Sequence, residues 1–147
     1  MKNKVVIFDL DDTLYKEIDY LKSAFNEIAD YISCNVNYNK IDIYDFMIDN
    51  YYEKNNVFEM LEKKVGCNEI INVEKLIHIY RNHIPILNLD KDTKKVLSWI
   101  KNKKYFLGLI TDGRRVQQRN KLKALNIENI FDSIIISEDF GTSKKSL

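Results

Sequence analysis

The fold is decided by the stretch VVIFDLDDTLY, which extends from Val5 to Tyr15. Its first four residues are apolar without polar alternation, which predicts a strand buried on both faces, as in a parallel sheet covered by helices. The apolar run then ends at carboxylates. Ligands of open α/β sheets bind just beyond the carboxyl ends of the strands, so Asp9 and Asp11 lie where we expect a functional site.

Length and composition narrow the class of protein. A chain of 147 residues with 45% hydrophobic and 31% charged residues is typical of a soluble globular protein with one core. A formal net charge of +1 gives no broad field for nucleic acid or for an anionic membrane. The apolar run near the N-terminus is too short for a signal peptide or a membrane span. We therefore expect a cytoplasmic protein that binds neither nucleic acid nor membrane.

Only helices are predicted between the first strand and about residue 88. Apolar residues recur at helical spacing from Ile18 to Ile32, which indicates an amphipathic helix. Three more helices are predicted over residues 41–52, over residues 57–65 and from residue 73 onward. On the first of these three, the predicted buried face consists of Tyr44, Met47, Ile48 and Tyr51. An all-helical module is thus predicted between the first strand and the rest of the sheet.

The pattern then returns to alternating helices and strands. The predicted elements are a helix over 91–103, a strand over 105–110, a helix over 114–125 and a strand over 134–136. In the second of these helices, Val116, Leu122 and Leu125 are the expected anchors. Right-handed crossovers in a parallel sheet bring the carboxyl ends of its strands to one edge. We therefore expect the polar clusters at Asp9 and at the ends of the later strands to meet.

Two aspartates separated by one residue on an extended segment point to the same side, because strand side chains alternate with period two. A carboxylate can attack phosphorus to form an aspartyl-phosphate, while a nearby acid protonates the leaving oxygen. Asp9 and Asp11 suit these two roles. So much negative charge in one turn calls for a cation, and Mg²⁺ fits an all-oxygen site that also receives a phosphate.

The segment from Asp9 to Thr13, with the sequence DLDDT, resembles motif one of the haloacid dehalogenase-like (HAD) superfamily in its phosphatase form. The resemblance implies that Asp9 is the nucleophile, that Asp11 is the general acid and base, and that Thr13 is the motif's hydroxyl residue. It also implies that the Asp9 carboxylate and the Asp11 backbone carbonyl bind Mg²⁺. A small phosphorylated metabolite is the implied substrate.

Two further motifs of the same family have counterparts later in the chain. Motif two is a hydroxyl residue that closes the next core strand, which implies that Thr111 and the backbone N–H groups of Asp112 and Gly113 hold the phosphoryl oxygens. Motif three is a lysine before the next helix, and the family spacing selects Lys144. A lysine there would neutralise charge on the nucleophile and on the transferring phosphoryl group.

The helical insert resembles the family's class I cap, which closes over the substrate and excludes water. The resemblance thus implies an α/β fold with a Rossmann-like three-layer core and a parallel sheet of at least three strands. The core comprises residues 1–15 and 89–147, and the all-helical cap comprises residues 16–88.

Motif four of the family, an acidic pair at the end of a further strand, has no counterpart before Leu147. Without that strand, the segment from Val5 to Phe8 becomes an edge, and an uncovered apolar edge invites pairing with another chain. Two hypotheses follow. Either the chain is a fragment of a longer phosphatase, or it is naturally short and self-associates through this edge.

Three alternatives to a phosphatase share parts of the pattern. A phosphomutase has the same three motifs, and transfer of the phosphoryl group to a sugar phosphate acceptor would distinguish it. A dehalogenase would also use Asp9, but Asp11 marks the phosphatase branch. A non-catalytic binding or assembly module is the alternative from another class, and it would lack Mg²⁺ binding that depends on Asp9.

Overall fold

The computed structural model describes residues 4–66 and 68–141, which form an α/β fold. Three strands and six α-helices are found in this part of the chain. In order they are β1 (Val5–Phe8), α1 (Glu17–Asn35), α2 (Lys40–Tyr52), α3 (Val57–Val65), α4 (Val73–Asn82), α5 (Lys91–Asn102), β2 (Phe106–Thr111), α6 (Arg115–Ala124) and β3 (Ser133–Ile136). Short 3-10 helices, Glu128–Ile130 and Ser137–Phe140, flank the last strand.

The three strands form one parallel sheet in the order β1-β2-β3. Phe8 lies opposite Leu109, and Thr111 lies opposite Ile136. The strands therefore end close to one another at their carboxyl edge. This sheet confirms the predicted parallel α/β architecture, and it brings the segments that follow the three strands to the same side of the molecule.

The prediction that the first strand is buried on both faces is wrong for the described residues. Val5 and Ile7 are 62% and 59% exposed, whereas Val6 and Phe8 are partly buried. Successive side chains on a strand point to opposite faces, so Val5 and Ile7 share one face and that face is open. Within the described sheet, β1 is also an edge strand.

Polar side chains define where several helices begin. Asn39 accepts a hydrogen bond from the Ile41 N–H at 2.8 Å, and Asn72 accepts one from the Lys75 N–H at 2.9 Å. The first N–H groups of a helix have no partner within the helix, and these side chains supply one. Asn39 and Asn72 are therefore the N-terminal caps of α2 and α4.

The chain divides into two compact units, of which one is the segment Leu21–His83. The other unit ends at Tyr20 and resumes at Ile84. In the helical unit, Phe25 and Phe58 pack edge to face with ring centroids 6.5 Å apart, and Tyr80 packs on both rings. Aromatic packing of this kind gives the unit a core of its own.

The predicted buried face of α2 is only partly right. Met47 is fully buried, but Tyr51 is 40% exposed, and the other fully buried apolar residue of the helix is Ile43. Asn50 is also buried, and its amide donates to the Phe46 carbonyl and accepts from Asn55. Because Asn50 is polar, the spacing of apolar residues alone does not identify this buried face.

Among the helices of the described residues, none combines the length and the apolar character that crossing a membrane requires.

The packing of α2 can be tested with two isoleucines that lie two positions apart. Ile43→Ala removes a side chain that is 0% exposed and should lower the free energy of unfolding by about 2–5 kcal/mol. Ile41 is 66% exposed, so Ile41→Ala should change that free energy by no more than about 0.5 kcal/mol. Urea denaturation of both variants gives the comparison, and equal losses would contradict the assigned orientation of the helix.

Candidate active site

The carboxylate of Asp11 receives hydrogen bonds from three side chains. The Tyr15 hydroxyl and the Lys121 Nζ atom both donate to Oδ1, the latter at 2.8 Å. The Gln118 Nε2 atom donates to Oδ2 at 2.9 Å. Tyr15 lies four residues downstream of Asp11, whereas Lys121 and Gln118 come from α6. The turn after β1 and the helix after β2 therefore meet at this carboxylate.

Lys121 is a buried cation, with only 2% of its side chain exposed. Its ammonium group lies 4.4 Å from the centroid of the Tyr20 ring in addition to its contact with Asp11. A buried ammonium group is costly unless an opposite charge and hydrogen bonds compensate it. The Asp11 carboxylate supplies that charge, and the ring face adds a favourable cation–π contact.

Gln118 connects the ends of two strands. Its Nε2 atom reaches Asp11 and also lies 2.5 Å from the Thr111 Oγ1 atom. An ionised carboxylate only accepts hydrogen bonds, which fixes the amide nitrogen on the side of Asp11. Thr111 Oγ1 therefore acts as an acceptor toward Gln118 and keeps its own hydrogen for another partner. Both Gln118 and Thr111 are 1% exposed.

A second set of contacts joins the segments after β2 and β3. The Ser137 hydroxyl donates to the Asp112 carboxylate, and the Gly113 N–H donates to Ser137 Oγ at 3.0 Å. Ser137 is buried. The predicted meeting of these two strand ends is confirmed, but the Gly113 N–H already has a protein partner.

Glu138 lies beside the start of α6. Its carboxylate accepts from the Arg114 guanidinium and from the Arg115 backbone N–H, each at 2.7 Å. These hydrogen bonds hold the pKa of Glu138 below its usual value. Asp139 accepts a hydrogen bond from Arg115. These hydrogen bonds hold both acidic residues at the N-terminus of α6.

The remaining sequence-predicted residues lie around the first turn. Asp9 is partly buried directly after β1, and Thr13 is exposed with its N–H directed at the Leu10 carbonyl. Asp12, which has a left-handed backbone conformation, accepts from the Glu17 N–H at 2.9 Å and so caps α1. Lys144 lies outside the described residues.

The environment of Asp11 perturbs two neighbouring groups. Burial and the hydrogen bond to Asp11 raise the pKa of the Tyr15 hydroxyl far above its usual value, which keeps it a donor. Burial raises the pKa of Glu17, and the charge of Asp11 adds to this effect. In both groups burial is the largest cause of the raised pKa, and the neighbouring Asp11 adds to it.

The donors predicted to bind a metal are chemically suited to Mg²⁺. They are a carboxylate of Asp9 and a main-chain carbonyl of Asp11, and Mg²⁺ prefers oxygen ligands while keeping several waters or substrate oxygens. The Asp11 carboxylate itself already accepts hydrogen bonds from three side chains of the described residues. Residues 4–66 and 68–141 contain no group of three or more His, Cys, Asp or Glu side chains arranged to hold a metal ion.

The sequence interpretation missed Tyr15, Gln118, Lys121 and Ser137. It also placed Val116 on the buried face of α6, but that residue is 51% exposed. The buried residues of this helix are Gln118, Lys121 and Leu122. Gln118 and Lys121 are three positions apart and share a face with Leu122, so a polar pair on the apolar side of a helix was the available signal.

A cleft in the sheet-containing unit lies away from these residues. It has a volume of about 440 Å³ and is lined by residues that include Lys101, Tyr105 and Phe131. These residues precede β2 and β3, so the cleft lies at the amino ends of the strands. The chemistry of the side chains, rather than the size of a cavity, identifies the candidate site.

Comparison with known sequences assigns the class of protein. Residues 6–146 match the family of haloacid dehalogenase-like hydrolases, and the chain belongs to this family. The match includes β2, β3, all of β1 except Val5, and the network around Asp11.

Two curated relatives come from archaea. The chain is 30% identical over 162 residues to a glyceraldehyde 3-phosphate phosphatase of Methanocaldococcus jannaschii, an alignment that covers 98% of this chain and 66% of the relative. It is 27% identical over 151 residues to a protein of the same name from Methanothermobacter thermautotrophicus, with coverage of 98% and 67%. The chain therefore spans about two thirds of the length of these relatives.

Solved structures share the fold. A HAD-hydrolase of Bacillus subtilis, described as bound to magnesium, superposes with a TM-score of 0.60 at 18% identity, covering 98% of this chain and 68% of that protein. A structure described as a β-phosphoglucomutase of Thermotoga maritima gives a TM-score of 0.58 at 19% identity, with coverage of 92% and 62%. At these identities the similarity supports the Rossmann-like architecture alone.

The turn at Gly113 offers a test of the site's geometry. Gly113 has a φ of +141°, and a Cβ atom there would lie 3.1 Å from Gln118 Cδ. Gly113→Ala should therefore lower the free energy of unfolding by more than about 1 kcal/mol and displace Gln118. Gly108 is the control, because a Cβ there comes no closer than 3.5 Å to Ile7, and Gly108→Ala should change stability by less than about 1 kcal/mol. Indistinguishable urea midpoints would contradict this assignment.

Proposed function

We propose that the protein is a phosphatase that hydrolyses a small phosphate monoester through an aspartyl-phosphate on Asp9. The observation that carries this proposal is the hydrogen-bonded connection from Asp11 through Gln118 to Thr111. It joins the proposed acid and base at one strand end to the proposed phosphoryl-binding hydroxyl at the next. Membership of the hydrolase family and the names of the two archaeal relatives support the same reaction.

In the first half of the proposed reaction, a carboxylate oxygen of Asp9 attacks phosphorus. The bond between phosphorus and the leaving oxygen breaks, and that oxygen takes a proton from Asp11. The hydroxyl hydrogen of Thr111 and the Asp112 N–H would hold the phosphoryl oxygens, with Thr13 in the turn after β1. The Gly113 N–H could join them only by leaving Ser137 Oγ, to which it donates. Lys144 would offset the negative charge that accumulates on the transferring group.

The proposed metal site uses the Asp9 carboxylate and the Asp11 main-chain carbonyl. Mg²⁺ bound there would reduce the repulsion between the substrate phosphate and the nucleophile. The remaining ligands of a hydrated Mg²⁺ are water and phosphate oxygens, which suits a site with few protein donors. The magnesium-bound state described for the Bacillus subtilis protein supports this choice of ion.

The proposed substrate is a phosphate ester of about the size of a triose phosphate. The names of the archaeal relatives support this class, since both are called glyceraldehyde 3-phosphate phosphatases. We propose that residues 16–88 act as a cap that excludes water from the reacting groups. The independent aromatic core of the segment Leu21–His83 suits a module that moves as a unit.

The nucleophile is tested by Asp9→Asn, which keeps the shape of the side chain but removes its charge and nucleophilicity. Release of phosphate from 4-nitrophenyl phosphate in the presence of Mg²⁺ should fall by more than about 1,000-fold. Asp19→Asn is the matched control, since Asp19 is exposed in the first turn of α1 and should leave turnover within about twofold. Turnover retained by the Asp9 variant would refute the assigned nucleophile.

Metal binding is tested separately from turnover by calorimetric titration with MgCl2. The wild-type protein should bind Mg²⁺, and Asp9→Asn should weaken the affinity at least about tenfold because a charged ligand is lost. The Asp19→Asn protein should bind as the wild type does. Binding that does not depend on Asp9 would place the metal elsewhere and favour a non-catalytic module.

A further inference from the structure

We propose that Lys121 is a positioning residue that assigns proton transfer to a single oxygen of Asp11, the Oδ2 atom. This inference rests on the proposed phosphatase function and adds to it a residue from α6 that does not touch the substrate. Lys121 would act through Asp11, and Gln118 would hold the same carboxylate from its other side. We expect this positioning to affect the second half of the reaction, in which the phosphoenzyme is hydrolysed.

The carboxylate of Asp11 can accept only a limited number of hydrogen bonds. Each of its two oxygens offers about two lone-pair positions. Among residues 4–66 and 68–141, the Tyr15 hydroxyl and Lys121 Nζ both donate to Oδ1, whereas only Gln118 donates to Oδ2. Within this part of the chain Oδ1 is therefore saturated, and the open position of the carboxylate lies on Oδ2.

The burial of Lys121 indicates that this arrangement is held in place. Its side chain is 2% exposed, whereas the side chain of Asp11 is 21% exposed. An apolar side chain of similar length would fill the same space without the cost of removing a charge from water, so packing alone does not require a lysine at this position. The cation is anchored further by the face of the Tyr20 ring, 4.4 Å away. Because the Lys121 ammonium group is rigidly held against Oδ1, it fixes the rotation of the Asp11 carboxylate about its Cβ–Cγ bond.

The second half of the reaction is where this orientation matters most. A water oxygen forms a bond to the phosphorus of the aspartyl-phosphate, and the bond between phosphorus and the Asp9 oxygen breaks with its electron pair returning to Asp9. The water proton passes to Oδ2 of Asp11. The products are inorganic phosphate, ionised Asp9 and protonated Asp11, and that proton serves the leaving oxygen of the next substrate.

The step can be isolated with 4-nitrophenyl phosphate, whose phenolate leaves without needing a proton. In Lys121→Met, formation of the phosphoenzyme should remain close to wild type while its hydrolysis slows. We expect kcat to fall by about 10- to 100-fold and KM to fall in parallel, so that kcat/KM stays within about threefold. A burst of nitrophenolate approaching one equivalent per site and trapped phosphoenzyme should accompany the slower turnover.

Two variants complete the experiment. Lys123→Met removes the same charge from an exposed position two residues along α6 and should show neither the burst nor the fall in kcat. Lys121→Gln keeps a hydrogen-bond donor in the buried position and should lie between the wild type and the methionine variant. Because the burst counts only folded, reacting sites, the split between kcat and KM can be read even when part of a sample is unfolded.

Each result decides between the alternatives. A fall in kcat/KM equal to the fall in kcat, without a burst, would identify Lys121 as merely structural and overturn the proposal. Wild-type kinetics in Lys121→Met would overturn it as well. If the wild-type protein releases no phosphate in a manner that depends on Asp9, the proposed function fails and the role of Lys121 fails with it. Loss confined to the Lys121 variants, with the expected burst, supports both.

Discussion

The candidate site depends on the contact between the buried ammonium group of Lys121 and the carboxylate of Asp11, 2.8 Å apart. A buried cation needs an anion close by, so this requirement draws α6 against the turn that follows β1. Gln118 lies one helical turn before Lys121 and therefore reaches both Asp11 and Thr111. One electrostatic requirement thus aligns the polar residues at the ends of two strands.

Hydrogen bonds between side chains then complete the carboxyl edge of the sheet. Ser137 links Asp112 to Gly113, and Glu138 accepts hydrogen bonds from the first turn of α6. Buried polar groups are costly when unpaired, so such connected groups restrict one another's orientation. A reaction that must position a nucleophile, a proton carrier and a phosphate within hydrogen-bonding distance benefits from this kind of preorganisation.

The sequence predicted the sheet well because uninterrupted apolar runs end abruptly at polar residues, as at Ile110 and Thr111. It predicted burial less well. Val5, Ile7 and Val116 are apolar but exposed, since burial depends on which faces other elements cover. Lys121 is charged but buried, because neighbouring elements cover its position on α6. Apolar spacing correctly predicted that Leu122 and Leu125 are buried, but it cannot reveal a buried lysine whose partner is a partly buried carboxylate, so Val116 was assigned to the buried face in place of Gln118 and Lys121.

The sequence by itself determined the order of elements, the parallel α/β class and the two carboxylates that follow the first strand, because these depend on local patterns within a few residues. Only the tertiary structure decided which groups surround Asp11. Lys121 and Gln118 are separated from it by 110 and 107 positions in the chain. No local pattern encodes contacts of that range. They arise when parallel strands bring the turn after β1 and the helix after β2 to the same edge, where a carboxylate and a buried cation satisfy one another.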